Sequence, residues 1–177
     1  MPDKKGNLYL FEAIELRKEY DRRIKLLEHL LGGGQGKQDR LFHRGDEEKR
    51  EPSTDFDLVK MEESLKSIQT KRVKLNQAIQ LANFESKIEH EGETIPIAEA
   101  LELRKNLASD LEVISQRVLD SAYTRIIHKE GRDIVHEPRH GFRQSYEEFQ
   151  NRLKKLQNLV IKIHQANHAY CVNFKAE

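Results

Sequence analysis

Glu12-Ala13-Ile14-Glu15-Leu16-Arg17-Lys18 returns as Glu99-Ala100-Leu101-Glu102-Leu103-Arg104-Lys105, with Leu101 in place of Ile14 as the only exchange. Farther along, Ala82-Asn83 returns as Ala166-Asn167 at nearly the same offset. A chain that repeats itself at such an interval is expected to consist of two related halves. In each half an amphipathic segment meets a polar, glycine-containing stretch and a second amphipathic segment follows, so the repeating unit reads as a helical hairpin. The fold expected from this repeat is all-α. It has two tandem long hairpins, at about 8–83 and 98–167, forming a four-helix, coiled-coil-like bundle in a single domain spanning 1–177. Polar loops are expected at 32–54 and 128–144, with a short β-turn insert near 86–96.

Helical periodicity places each element. From Leu8 to Leu31, the residues Leu10, Ala13, Leu16, Tyr20, Ile24, Leu27 and Leu31 fall on one stripe, and Gly32-Gly33-Gly34 ends it, since glycine triplets are costly inside a helix. Ser53-Thr54-Asp55 offers capping oxygens to the next helix. There Leu58, Met61, Leu65, Ile68, Leu75, Ile79 and Ala82 keep a heptad, interrupted by Arg72, over roughly 40 Å at about 1.5 Å per residue. Between Phe84 and Ile97 the rhythm changes. Lys87-Ile88-Glu89 and Glu93-Thr94-Ile95 flank His90-Glu91-Gly92, which predicts a two-stranded turn, and Pro96 argues against a continuing helix. A third helix is expected from Ala98 to Ile127 through Leu101, Leu107, Leu111, Ile114, Val118 and Ala122. A polar loop from His128 to Gln144 follows, and a fourth helix begins near Ser145, with Glu148 as its capping-box partner. The last ten residues are expected to fray or to form a short strand at Ala169-Tyr170-Cys171-Val172. Burying six Leu or Ile side chains per helix at roughly 1.5 to 3 kcal/mol each outweighs any surface ion pair, so packing decides the fold.

The composition agrees with long exposed helices rather than a sheet-rich fold: 34% charged and 37% apolar residues, no Trp and four Pro among 177 residues. The formal charge of +1 conceals heavy but balanced charging, so any anion-binding patch must be local. Cys171 stands alone and forms no internal disulfide. No apolar run approaches the roughly 20 residues that span a bilayer, and Met1-Pro2-Asp3-Lys4-Lys5-Gly6 opens an amphipathic stretch rather than a secretory signal. A cytoplasmic protein without membrane contact is expected.

The densest candidate for chemistry is the stretch holding Arg125, His128, Lys129, Glu130, Arg132, Asp133, His136, Glu137, Arg139, His140 and Arg143. Its counterpart in the first half holds His43 and Arg44, and the two share His, a base, Gly, then Glu-Pro: His43-Arg44-Gly45 to Glu51-Pro52, and His128-Lys129-Glu130-Gly131 to Glu137-Pro138. With pseudo-twofold packing the two stretches would converge into one composite site. Three readings are open. One is a solvated loop of the ordinary charged kind. Another is an anion site of His43, Arg44, Arg125, His128, Lys129, Arg132, Arg139 and Arg143, because guanidinium forks match phosphate bidentately. The last is a metal site on His136 and His140, with His128 and Asp133 as further donors, against which Glu137-Pro138 disfavours the continuous helix that makes such a pair converge.

Other features have plainer readings. Arg72 is expected to reach solvent from the seam. Asn83 and Asn167 cap or turn the chain, and His164 and His168 are a surface pair. Gly32-Gly33-Gly34-Gln35-Gly36-Lys37 lacks the strand before it and the Ser or Thr after Lys that a phosphate loop needs.

With these residues laid out, the chain resembles the septicolysin-like family of small bacterial helical proteins. The resemblance rests on the Glu12 to Lys18 motif, Ala82-Asn83, the stretch Gly92 to Ile97 followed by Glu99-Ala100-Leu101, and Ile163-His164-Gln165-Ala166-Asn167-His168. It implies an all-helical, coiled-coil-rich fold and assigns no catalytic residue; the stretch from His128 to Arg143 is richer in His and Arg than that pattern. The expected function is a non-enzymatic, self-associating helical scaffold whose His/Arg-rich stretches bind a nucleotide, a nucleic acid or a protein partner, with no cofactor. The alternative is a metal-assisted phosphohydrolase built on 128–143.

Overall fold

The computed structural model describes residues 7–32 and 53–175, and these divide into two compact units. One unit comprises Met1–Ala82 with Ala169–Glu177, and the other is Asn83–His168. Among the described residues no helix is long and apolar enough to cross a membrane.

In the first unit, strand β1 (Leu8–Tyr9) leads into helix α1 (Leu10–Leu31), and helix α2 (Leu58–Glu85) supplies most of the rest. Strand β6 (Cys171–Val172) returns from the far end of the chain and pairs antiparallel with β1, Leu8 against Val172 and Tyr9 against Cys171. The Asn7 side chain locks this closure. Its amide donates to the Phe174 carbonyl while its oxygen accepts from the Phe174 amide at 2.9 Å. At the start of α1 the Glu12 carboxylate reaches back to accept the Tyr9 amide at 2.8 Å, satisfying a donor that the helix cannot. Arg17 donates to Asn76 at 3.1 Å and Arg72 pairs with Asp21 at 2.9 Å. The order of these partners makes α1 and α2 antiparallel. Leu10, Ala13, Leu75, Ile79, Ala82, Val172 and Phe174 are its buried apolar residues.

The second unit opens with the hairpin of β2 (Lys87–His90) and β3 (Glu93–Pro96), in which Ile88 faces Ile95 and both are buried. Glu91 and Gly92 turn it with φ of 49° and 89°, the left-handed pair that a two-residue hairpin of primed type demands. Helix α3 (Ile97–Ser121) follows directly, and helix α4 (Phe142–Ala169) runs antiparallel to it, with Arg117 on Glu148 at 2.9 Å and Arg152 on Asp110 at 3.3 Å. Ile97, Ala100, Leu111, Ile114, Leu159, Ile163 and Ala166 form its helical core.

The repeat thus has a structural meaning. Leu10 and Ile97, each fully buried, open α1 and α3, and Ala13 and Ala100 follow, equally buried. The Leu10 amide donates to the Tyr170 carbonyl at 2.9 Å, and the Ile97 amide donates to Ser86 at the same distance. In both units a helix ends, its chain forms one strand of a two-stranded ladder, and the next helix starts from the other. One such junction is contiguous in sequence; in the other the two strands lie at opposite ends of the chain.

The expected mostly helical fold with a turn at 86–96 is present, and four expected features are corrected. Helix α2 starts at Leu58 rather than beside Ser53-Thr54-Asp55, because Asp57 is the residue whose carboxylate accepts the Lys60 amide, at 3.2 Å. Helix α3 stops at Ser121, short of Ile127: the Ala122 amide turns to Leu119 at 3.2 Å and the Ser121 hydroxyl to Val118 at 2.9 Å. The stretch 128–144 is not one loop. It holds a second hairpin, β4 (Arg125–Lys129) with β5 (Arg132–His136), turned by Glu130 and Gly131 at φ 50° and 76°. β-Branched Ile126, Ile127, Ile134 and Val135 favour this ladder over another helical turn. Helix α4 then begins at Phe142. Ser145 lies inside its first turns, its hydroxyl on the Gly141 carbonyl at 3.0 Å, and Glu148 faces Arg117 instead of a cap.

Candidate functional site

Strand geometry sorts the basic cluster. Successive side chains of a strand alternate between faces, and directly paired residues share a face. Since Arg125 pairs with His136, Ile127 with Ile134 and Lys129 with Arg132, these six lie on one face of the β4–β5 ribbon. The opposite face holds Ile126, Val135, His128 and Asp133. There the His128 ring nitrogen sits 2.5 Å from the Asp133 carboxylate, with both side chains mostly exposed.

At the base of the ribbon the basic face meets the end of α3. Val113, Gln116, Arg117 and Asp120 recur at helical spacing along one stripe of that helix. Together with Ser121, Tyr123, Arg125 and the returning segment 136–140, they line an open hollow of about 850 Å³. Arg117, Arg125 and Arg139 line it, together with His136 and His140. Arg117 is held by Glu148, and Asp120 accepts from Gln116 at 2.8 Å. Arg125 and Arg139, like Lys129 and Arg132 farther out, have no ion-pair partner among the described residues. Cations left unpaired on exposed backbone are available to an anion, and a guanidinium can present two parallel donors to one phosphate. Tyr123 stands at the rim with 85% of its surface exposed.

The hollow brings together Arg125 and Arg139 of the expected anion site with both members of the expected metal pair, His136 and His140. Lys129 and Arg132 share the ribbon face but lie at its tip. His128 is on the other face, and Arg143 pairs with Glu147 at 3.0 Å along α4. His43 and Arg44 lie outside the described residues. Among the described residues no group of three or more His, Cys, Asp or Glu side chains is close enough to hold a metal ion, and Pro138 keeps His136 and His140 off a common helix. Sequence reasoning passed over Arg117, Asp120 and Tyr123. The signal for Arg117 and Asp120 is the polar stripe they form with Gln116 beside the apolar stripe of α3; Tyr123 has no such signal.

A second, smaller hollow of about 460 Å³ in this unit is lined by His90, Glu91, Lys155, Asn158, Ile161, Lys162 and Gln165. Its lysines are engaged: Lys155 reaches Glu91 at 2.8 Å and Lys162 donates to the Glu89 carbonyl at 2.7 Å, fastening the β2–β3 hairpin to α4. Hydrogen bonding and charge from Lys155 hold the Glu91 carboxyl below its usual range. The contrast with Arg125 and Arg139 singles out the larger hollow.

No family model matches the chain, and no curated protein matches it. Among solved structures it is similar to a functionally unknown conserved protein from Corynebacterium diphtheriae, with a TM-score of 0.69 over 92% of this chain and 96% of that one. The two are 19% identical, a likeness that shows the fold.

Proposed function

We propose that the protein is a non-enzymatic helical scaffold that binds a phosphate-bearing ligand in the hollow between the end of α3 and the β4–β5 ribbon. The observation that supports this reading is the convergence of Arg117, Arg125 and Arg139 on one open hollow, two of them without an ion-pair partner among the described residues. His136 and His140 add donors on the same wall. Self-association of a coiled-coil type belongs to the same proposal. What supports it is that the α2 stripe is buried at Leu75, Ile79 and Ala82 while Leu58 at its start is 48% exposed, an apolar position that a second copy would cover in a coiled-coil seam. So does membership in the septicolysin-like family that the motifs resemble.

Calorimetric titration with inorganic phosphate and with nucleotides, at several salt concentrations, tests the reading. Binding should weaken as salt rises, because phosphate contacts release counterions. Arg125→Ala and Arg139→Ala should each weaken it by roughly 1.5 to 3 kcal/mol, the range for a charged hydrogen bond. Absence of salt-sensitive binding across such a panel would leave the cluster as a solvated surface.

A further inference from the structure

We infer that the ligand of this site is a single-stranded nucleic acid, which runs from the hollow out along the basic face of the β4–β5 ribbon. The inference rests on the anion-binding reading above and goes past it in naming a polymer. Two sets of unpaired cations share the face. Arg125, with His136 beside it, belongs to the hollow, and Lys129 with Arg132 flanks the turn. Four residues of strand separate them, about 14 Å at roughly 3.4 Å per residue, farther than the phosphates of one nucleotide spread. A ligand that satisfies both sets needs phosphates repeated along its length.

Between the two sets lie Ile127 and Ile134, the latter 43% exposed, so the path crosses an apolar step. Alternation of phosphate and apolar base faces along a strand matches alternation of cation and isoleucine along the ribbon, and the exposed Tyr123 ring at the hollow's rim offers a surface on which a base can stack. Both strands of the ribbon are exposed over nearly their whole length. The hollow is concave and walled by α3. A duplex carries its phosphates on the outside of a stiff cylinder and meets such a site only at an edge, whereas a single strand can lay successive phosphates into it. The acids Glu130, at the turn, and Glu137, at the hollow, repel any polyanion, so an acidic polypeptide is the control that separates nucleic-acid recognition from attraction to charge alone.

The test uses the full chain and fluorescently labelled deoxyoligonucleotides of one, two, four and eight nucleotides, a matched duplex, and polyglutamate, at a fixed salt concentration. Affinity should rise at least tenfold from the mononucleotide to the octamer. In the double variant Lys129→Gln, Arg132→Gln, which removes both charges and keeps the side chains polar, octamer affinity should fall at least tenfold while mononucleotide affinity stays unchanged. The slope of log affinity against log salt should shrink by roughly 1.4, two phosphates at about 0.7 each, a readout that misfolding would not mimic. An octamer that binds no tighter than the mononucleotide, or is indifferent to the double variant, would overturn the inference and leave the hollow's anion site standing. So would tighter binding of the duplex, or equal binding of polyglutamate. Failure of mononucleotide and octamer alike would bring down the anion site itself.

Discussion

The Arg72 guanidinium pairs with the Asp21 carboxylate at 2.9 Å in the first unit, at the place where the repeat puts Leu156 and Ala108 in the second. The next two levels of the seam on the C-terminal side of Arg72 keep their counterparts: Leu75 and Leu159 are both fully buried, and Ile79 and Ile163 nearly so. One unit therefore has an ion pair at this level, where the other has a half-buried Leu156 and an exposed Ala108. Each partner is 40% exposed, so solvent screens the pair. Arg72→Ala should cost no more than about 1 kcal/mol. The double variant Asp21→Ala, Arg72→Leu, which writes the second unit's residues into the first, should be as stable as the native chain or up to about 1 kcal/mol more so. Urea denaturation reads both, and a large loss in the double variant would mean that the pair is required for packing.

The two Glu-Gly turns should respond differently to the same change. Gly92 and Gly131 both have positive φ, where an added Cβ is strained at about 1 to 2 kcal/mol. The β2–β3 hairpin is anchored by buried Ile88 and Ile95, so Gly92→Ala should lower the melting temperature of the protein. The β4–β5 ribbon has no buried residue, and an isolated two-stranded hairpin is marginal. Gly131→Ala should speed amide hydrogen exchange from Ile126 to Val135 and leave the melting temperature within error. A global loss from Gly131→Ala would show that the ribbon is part of the cooperative core.

A pH dependence follows from Lys155 and Glu91. Their contact depresses the Glu91 pKa in the folded chain, so its contribution to stability is present above the pKa of an unfolded glutamate and is lost as pH falls through the folded value. Lys155→Ala should return the Glu91 carboxyl toward its ordinary range, observed as an upward move of its carbon-13 titration midpoint. An unmoved midpoint would assign the depression to another neighbour.

What could be read from the chain divides along local and distant contacts. The Glu12–Lys18 repeat, the apolar stripes and the turn at Glu91-Gly92 are local signals, and each element they predict is present. The turn at Glu130-Gly131 has the same dipeptide, but Ile126 falls four residues past Ala122 and so continues the α3 stripe, and periodicity extends the helix through a strand. Pairing of β1 with β6 joins Asn7 to Phe174 across almost the whole chain, and no local pattern encodes it. Within the site, Arg125, Lys129, Arg132 and Arg139 were evident as a cluster. Arg117 and Tyr123 entered only through the way α3 ends beside the ribbon, a tertiary fact.

The most direct measurement is a nitrogen-15 chemical-shift titration of the full chain with a nucleoside monophosphate. The amides of Arg117, Tyr123, Arg125, His136 and Arg139 should shift together, saturate at one affinity, and lose the response in Arg125→Ala. Shifts centred instead on the smaller hollow at Lys155 and Lys162, or no saturable shift at any residue, would contradict a phosphate site between α3 and the ribbon.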